Sequence, residues 1–364
     1  MIFVEQIFFS TMSCLLITLF CFYYFKKKKI LLDEINYSKH KKLNFTNLDK
    51  PPLCGGIIIY ISSLIFFSNG LIFLEIFGLA ILIIGVFSDI NKISSPKVRI
   101  FLQALPVLLF VIFSDLRITD LRIDLVNELL DINYVSIIFT AFCLLILLNG
   151  SNFLDGLNTL VIGYYILVSA ILILISAKFD LVLNQNIFYF LIFLIIIFLF
   201  NFFGKIYLGD SGSYLISFFT AFFLLDFIIN NTFVSPYFIC LLLWYPAFEN
   251  LFSILRRILF SKKIHKADQN HLHQMIFKFF LKKKLINRKY INTFTANIIN
   301  LFNFTVFILF YKYFLMTKFL VLVILFNLSV IVDLPAPELP TSATVEPFSM
   351  EKLRSSTTSA VLPG

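Results

Sequence analysis

Residues 185–203 read QNIFYFLIFLIIIFLFNFF, nineteen consecutive residues without a charged side chain. A helix needs about 20 mostly apolar residues to cross the hydrocarbon core of a bilayer. Similar runs recur along the chain, and together they predict an all-α, polytopic integral membrane protein with about 10–11 transmembrane helices. The predicted spans lie near 6–25, 53–70, 71–88, 98–114, 132–149, 157–177, 185–203, 212–230, 233–252, 291–311 and 313–332.

The composition of the whole chain excludes the other broad classes. Of its 364 residues, 59% are hydrophobic and 14% are charged, whereas soluble domains have about 45–50% and about 25%. Disordered chains are polar, so the apolar fraction also excludes disorder. The five cysteines have no CxxC or paired spacing, and we interpret them as small apolar packing residues.

Basic residues are distributed unevenly between the predicted loops. With the N-terminus outside, the cytoplasmic segments contain 23 of the 30 Lys and Arg residues, and the opposite side contains 5. Cytoplasmic loops carry an excess of basic residues, so the sequence predicts this orientation. Topology then explains the net charge of +9, and no nucleic-acid partner is required. The predicted cytoplasmic segments are 26–52, 88–99, 149–158, 201–213 and 253–290.

The last 32 residues differ in composition from the rest of the chain. They contain five of the eleven prolines, one Phe and no Ile. We therefore divide the chain into a multi-spanning membrane domain, 1–332, and an atypical tail, 333–364. The tail is expected to be disordered or foreign to the rest of the chain, and no function is assigned to it.

Four polar strings border the predicted spans, and the predicted topology puts all of them on the cytoplasmic side. Polar and charged groups near span ends are functional candidates, because lipid disfavours them elsewhere. The strings are Gly85–Asp89 with Ser95–Arg99, Asn149–Asn158, Gly204–Ser213 and Asp268–Gln274.

Each string also has a structural interpretation that the sequence leaves open. A single carboxylate such as Asp89 can cap a helix or lie in a solvated turn. Asn149 and Asn152 share one helical face, so they can simply bond a neighbouring helix. His271 and His273 can be a surface pair.

The residue types in these strings suit phosphate chemistry. Carboxylate and amide oxygens, such as those of Asp210, Asp155 and Asn152, are the hard ligands that Mg²⁺ prefers. A loop at Gly209–Gly212 can expose backbone N–H groups to a phosphate. No GxxxxGK[ST], GxGxxG, HExxH or GxSxG motif occurs, which excludes the familiar nucleotide-triphosphate and hydrolase sites. Basic side chains that can neutralise phosphate are Lys97, Arg99, Arg256, Arg257, His271 and His273.

Three of the strings also resemble a known family. They are NGSNFLDGLNTL at 149–160, YLGDSGS at 207–213 and DQNHLHQ at 268–274, supported by PLCGG at 52–56, Ser88-Asp89 with SPKVR and Gln103, and YPAFE at 245–249 before Arg256-Arg257. From about residue 50 to 280 the chain resembles the polyprenyl-phosphate N-acetylhexosamine-1-phosphate transferases of glycosyltransferase family 4. The HLH string is nearer the UDP-GlcNAc branch than the muramoyl-pentapeptide branch.

The resemblance implies a reaction and its partners. Polyprenyl (undecaprenyl) phosphate would attack the β-phosphorus of a UDP-N-acetylhexosamine and release UMP, as the first step of a cell-surface polysaccharide. Mg²⁺, with Mn²⁺ as the alternative ion, would bridge the diphosphate. The implied location is a bacterial inner membrane with a cytoplasmic active site. The implied partners are the UDP-sugar, the polyprenyl phosphate lipid and the membrane, without nucleic acid, and a homodimer is left open.

The resemblance also implies roles for individual residues. Asp210 and Asn152 would hold the metal, and Asn158 and Tyr207 would bind uracil. Asp89 would lie near the lipid phosphate as a base or positioning group. The implied catalytic set is Asp89, Asp155, Lys97, His271 and His273. The implied substrate-binding set is Asn149, Asn158, Tyr207, Arg99, Lys205 and Arg257.

The sequence departs from the family pattern at several positions. Ser88 stands where the family usually has a first Asp, Asn158 replaces a second Asp, and Gln274 replaces a third His. A catalytically impaired member of the family is therefore one alternative. A lipid-linked sugar transporter or flippase is another, although transporters place binding groups at the bilayer midplane, often between inverted repeats.

Overall fold

A computed structural model describes residues 2–32, 50–67, 71–259, 271–284, 286–287 and 290–332. The tail predicted at 333–364 lies outside these residues, as do parts of the predicted cytoplasmic segments 26–52 and 253–290.

The described residues form helices, with one isolated antiparallel bridge between Leu32 and Pro52 and no strand among them. The helices are α1 Ile2–Lys28, α2 Gly55–Phe66, α3 Ile72–Asp89, α4 Pro96–Ser114, α5 Asp124–Leu130, α6 Asn133–Leu154, α7 Leu160–Phe179, α8 Asn186–Phe202, α9 Gly209–Asn230, α10 Pro236–Leu259, α11 Leu272–Lys283, α12 Ile291–Phe310 and α13 Thr317–Val332. The prediction of an all-α fold is confirmed.

Length and hydropathy make this a multi-pass membrane protein. In the described part of the chain, eight helices are long and apolar enough to cross a bilayer, namely α1, α3, α4, α6, α7, α9, α10 and α12. Three shorter apolar helices, α2, α8 and α13, account for the other predicted spans. The sequence did not predict α5 and α11 as separate helices, because neither has a long apolar run.

Helix α9 lies at the centre of the bundle. Of its apolar 18-residue stretch, 83% is buried by other parts of the protein. Small residues near its N-terminus let neighbouring backbones approach closely. A Cβ on Gly56 of α2 would lie 2.8 Å from the Cα of Gly212, and one on Gly85 of α3 would overlap Ser211. These contacts hold α2 and α3 against the first turn of α9, where Asp210 is located.

Candidate active site

The first turn of α9 is held by a carboxylate from another helix. Asp89, the last residue of α3, accepts the backbone N–H of Asp210 at 2.7 Å and that of Ser211 at 3.1 Å. The Ser211 hydroxyl also donates to Asp89, at 2.7 Å. The first N–H groups of a helix have no partner within the helix, and a negative charge there is favourable. Asp89 therefore fixes the position of Asp210.

Gly209 makes this arrangement possible. Its φ is +71°, and a Cβ at this position would lie 2.6 Å from Asp89 Oδ2. Glycine is the residue that combines a left-handed backbone with so close an approach. The Gly-Asp pair of the third string is thus explained by backbone geometry.

The Asp210 carboxylate is buried and accepts hydrogen bonds on both oxygens. Oδ2 accepts from the Ser88 hydroxyl at 2.5 Å and from Arg99 Nη1 at 2.8 Å. Oδ1 accepts from Asn152 Nδ2 at 2.8 Å. We call Ser88, Asp89, Arg99, Asn152 and Asp210 the Asp210 cluster. Three of the predicted strings therefore meet at one carboxylate.

The Asp210 carboxylate has a charged partner, Arg99, and a neutral one, Ser88. Arg99 also donates to the Ser88 hydroxyl, at 3.2 Å, and its side chain is 18% exposed. A guanidinium offsets the charge of a buried carboxylate, and two adjacent carboxylates would repel one another. The uncharged Ser88 hydroxyl and the Arg99 guanidinium thus share one oxygen of Asp210.

A second group of side chains surrounds His271, which precedes α11. Its Nδ1 lies 2.9 Å from Glu249 Oε2, and the Leu272 N–H donates to Glu249 Oε1 at 2.8 Å. The His271 ring stacks on Phe153 at 5.2 Å between centroids. Because Phe153 follows Asn152 in α6, the His271 group adjoins the segment that contributes to the Asp210 cluster.

Comparison with known proteins shows which family the region around the Asp210 cluster resembles. Residues 71–228 match the family model of glycosyl transferase family 4. We call this matching stretch the family 4 region. The predicted resemblance to this family is thereby confirmed, and the family 4 region contains all five residues of the Asp210 cluster.

One curated relative extends beyond the family 4 region. It is a probable undecaprenyl-phosphate N-acetylglucosaminyl 1-phosphate transferase of Bacillus subtilis (strain 168). It is 24% identical over 244 residues, which cover 64% of this chain and 68% of the relative. The similarity therefore involves most of the membrane region.

Two predicted substrate-binding residues of the family 4 region make structural contacts. Asn149 donates to Gln103 Oε1 of α4 at 3.1 Å and to the Leu145 carbonyl at 2.9 Å, as in the helix-bonding alternative considered above. The Asn158 backbone N–H donates to Asn292 Oδ1 of α12 at 2.7 Å, and its side chain is half-buried. Their substrate roles stay predictions.

Tyr207 also lies in the interior, with 2% of its surface exposed. Its N–H donates to the Pro52 carbonyl at 3.0 Å, and its carbonyl accepts from the Gly55 N–H at 3.2 Å. The backbone therefore connects the loop before α9 to the segment before α2. A uracil-stacking role for this ring stays a prediction.

The remaining predicted residues differ in how far they are exposed on the surface of the protein. Asp155 is buried directly after α6, whereas Lys97 and Lys205 are exposed. Lys205 lines a cleft together with Lys26 and Lys50. Arg257 belongs to α10, but its side chain lies outside the described part of the structure.

His273 is completely buried, and neither ring nitrogen has a hydrogen-bond partner among the described residues. Burial, together with the neighbouring His271, lowers the pKa of His273 well below its ordinary value of 6.5. The ring is stacked on that of His271 at 5.7 Å. His273 therefore packs against His271 as an enclosed ring, and its catalytic role stays a prediction.

Two connecting residues were not in the predicted site. Asn201, at the end of α8, accepts from the Thr159 N–H at 2.6 Å and donates to the Ile206 carbonyl at 2.8 Å. Asn292 of α12 bonds the Asn158 backbone, as described above. Each lies at the end of an apolar run. This position could have identified both residues in the sequence, since buried polar groups in such helices need partners. They connect the adjacent residues Asn158 and Thr159, where the second polar string ends, to other helices.

The donor set of the cluster fits a hard divalent cation on one condition. Among the described residues, no group of three or more His, Cys, Asp or Glu side chains is gathered as a metal site. Mg²⁺ is commonly held by one or two carboxylates with waters and substrate phosphates, so a single buried carboxylate with an amide is sufficient. The condition is that Arg99 and Ser88 release Asp210 Oδ2, which they occupy here.

Proposed function

We propose that this chain transfers N-acetylhexosamine 1-phosphate from a UDP-sugar to polyprenyl phosphate and releases UMP. The observation that carries the proposal is the convergence of Ser88, Arg99 and Asn152 on the buried Asp210 carboxylate, within a family 4 region. The name of the bacterial relative supplies the substrate class. In the proposed reaction a lipid phosphate oxygen bonds to the β-phosphorus, and the bond to the bridging oxygen breaks. UMP leaves with that oxygen.

The residues of the cluster have separable tasks in this proposal. Asp89 occupies the N–H groups of Asp210 and Ser211, so these N–H groups are not available to phosphate, unlike in the loop expected from the sequence. Arg99 forms an ion pair with Asp210 at 2.8 Å, and a guanidinium binds phosphate oxygens well. We assign to Arg99 a move from Asp210 to a substrate phosphate when the anionic substrates bind.

Mg²⁺, or alternatively Mn²⁺, completes the proposed site. The Asp210 carboxylate and the Asn152 amide oxygen would hold it once Arg99 has moved. Bound there, the ion would offset charge that develops on the diphosphate. Asn152 now turns its N–H toward Asp210, so its amide would also have to rotate.

We assign tasks to the other residues of the predicted catalytic and substrate-binding sets as well. Lys97 and Lys205 are exposed cations that can attract phosphate, and Asn158 and Tyr207 would bind the uracil end. His271 and Arg257 would face the diphosphate and sugar, with His273 packed behind His271. Asp155 and Asn149 would support the nucleotide side. The proposed orientation is N-terminus outside, with these residues at the cytoplasmic face of a bacterial inner membrane.

The assay for this function measures UMP. The full chain in nanodiscs is incubated with polyprenyl phosphate, Mg²⁺ and several UDP-N-acetylhexosamines, and nucleotide products are separated by chromatography. UMP together with a lipid diphospho-sugar is expected. UDP as the product would identify ordinary glycosyl transfer and contradict the mechanism, and no nucleotide product with any sugar would contradict the function.

A matched pair of variants tests the site. Asp210→Asn should lower UMP release by about 1,000-fold, since it removes the charge that the metal requires. Asp226→Asn makes the same change in the last turns of α9, away from the cluster, and should retain activity. Equal activity of the two variants would remove Asp210 from the site.

A further inference from the structure

Glu249 is a carboxylate of helix α10, and only 4% of its surface is exposed. Burying such a group is unfavourable unless its oxygens are satisfied. Both oxygens are used by the same short segment, one by the His271 ring and the other by the Leu272 N–H. The two contacts hold both the ring and the first turn of α11.

The geometry also selects a tautomer of His271. An ionised carboxylate only accepts hydrogen bonds, so the Nδ1 that lies 2.9 Å from Glu249 must carry a hydrogen. In the neutral ring, Nε2 is then the nitrogen with a lone pair. A buried partner on one ring nitrogen is the usual way in which proteins define the chemistry of the other.

The His271 ring also contacts α6, the helix that contributes Asn152 to the Asp210 cluster. Phe153 stacks on His271 with an angle of 28° between the rings. The preceding residue, Asn152, donates to Asp210. The His271 ring therefore contacts the residue that follows one of the side chains bound to Asp210.

We propose that Glu249 is a positioning residue that sets the ring orientation and the tautomer of His271. The proposal rests on the proposed function, in which His271 faces the diphosphate. Glu249 itself touches no reacting atom in this proposal. It acts through His271, and its contact with Leu272 holds the α11 segment that carries His273 and Gln274.

The substitution Glu249→Gln keeps the shape of the side chain but replaces one hydrogen-bond acceptor by a donor. Its single oxygen can still accept the Leu272 N–H, so the start of α11 is retained. Its amide N–H₂ then faces Nδ1 as a donor, which makes Nδ1 the acceptor and moves the ring hydrogen to Nε2. Glu249→Ala removes both contacts.

Asn250 provides the matched control. It is the next residue of α10, is also buried, and donates to the Ile146 carbonyl of α6 at 2.9 Å. Asn250→Ala removes a buried polar contact of the same helix without touching His271. It should lower stability while leaving the tautomer of His271 unchanged.

The first readout is independent of activity. The chain has four histidines, so ¹⁵N-histidine spectra of the full chain in nanodiscs can be assigned with a His271→Gln variant. We expect an Nδ1–H ring at His271 in the wild type and in Asn250→Ala, an Nε2–H ring in Glu249→Gln, and no fixed tautomer in Glu249→Ala. An identical His271 signal in wild type and Glu249→Gln would overturn the proposal.

The second readout is the UMP assay. Glu249→Gln should lower kcat by about 10- to 100-fold, as changes to orienting partners of functional groups commonly do, with KM for the UDP-sugar within about threefold of wild type. Unchanged kcat with a reversed tautomer would also overturn the positioning role. A wild-type chain that releases no UMP would refute the proposed function, whereas the spectra would still decide whether Glu249 sets the tautomer.

Discussion

The carboxylate of Asp89 accepts the backbone N–H of Asp210 at 2.7 Å, so the last residue of one membrane helix caps the first turn of another. The two residues are 121 positions apart in the chain. This contact orients the carboxylate on which Ser88, Arg99 and Asn152 converge. Asp89 thus acts on the site through the helix that carries Asp210.

Loss of the Asp89 cap should reduce both stability and activity. Asp89→Ala leaves the N–H groups of Asp210 and Ser211 without their partner, at a cost of about 1–3 kcal/mol. The measurement is the free energy of unfolding in detergent, together with amide hydrogen exchange at the start of α9. Asp226→Asn serves as the control on the same helix. Unchanged exchange at Asp210 in Asp89→Ala would contradict the capping role.

Gly209 should be intolerant of a methyl group for two reasons, and a second glycine separates them. Gly209→Ala requires φ near +71° and pushes Cβ against Asp89, whereas Gly204→Ala requires only a positive φ, near +63°. The φ effect alone costs about 1–2 kcal/mol. We expect Gly209→Ala to be the more destabilising in thermal unfolding. Equal losses would mean that the contact with Asp89 adds nothing.

The Arg99–Asp210 pair should behave as a coupled unit. Arg99→Ala leaves a buried carboxylate without its cation and should cost on the order of 3 kcal/mol. Adding Asp210→Asn removes the uncompensated charge, so the double variant should be more stable than Arg99→Ala alone. Unfolding free energies of the four proteins give the coupling. Lys92→Ala, an exposed basic residue, is the control, and additive effects would refute the pairing.

Ser88→Asp should make stability depend on divalent cations. The new carboxylate would face Asp210 Oδ2, which now accepts the Ser88 hydroxyl at 2.5 Å, and like charges at this distance repel. We expect a lower melting temperature without metal and a larger rise with Mg²⁺ than in the wild type. Ser88→Ala lacks the charge and should show no larger rise. Activity that appears only in Ser88→Asp would identify the natural chain as a catalytically impaired member.

Acid should destabilise the segment around His273. Its pKa is lowered in the folded protein, so below the ordinary value of 6.5 the unfolded chain binds a proton that the folded chain does not. Stability from this group is therefore present at neutral pH and falls as the pH drops below about 6.5, by at most about 1.4 kcal/mol per pH unit. Amide exchange in α11 at pH 7.5 and 5.5 measures this loss. His273→Phe should abolish the difference, and an equal loss in that variant would contradict it.

Much of the membrane architecture could be predicted from local composition, and the contacts could not. The eleven apolar runs correspond to eleven helices, because each run is long enough to satisfy its own backbone hydrogen bonds in lipid. The strings around Asn149, Asp210 and His271 were recognisable because polar residues are rare in such a chain. The capping interpretation of Asp89 and the helix-bonding interpretation of Asn149 were open in the sequence, and the structure contains both contacts.

By itself the sequence determined that this is an all-α membrane protein, where its apolar segments lie and which polar strings are candidates for the site. Hydrophobic burial is non-directional, so apolar periodicity says that a helix is buried but not which helix it meets. Only the tertiary structure decided that Asp89 caps α9, that Arg99 pairs with Asp210, and that Glu249 holds His271. Those choices depend on hydrogen bonds, whose distance and angle requirements are met only after distant helices have packed.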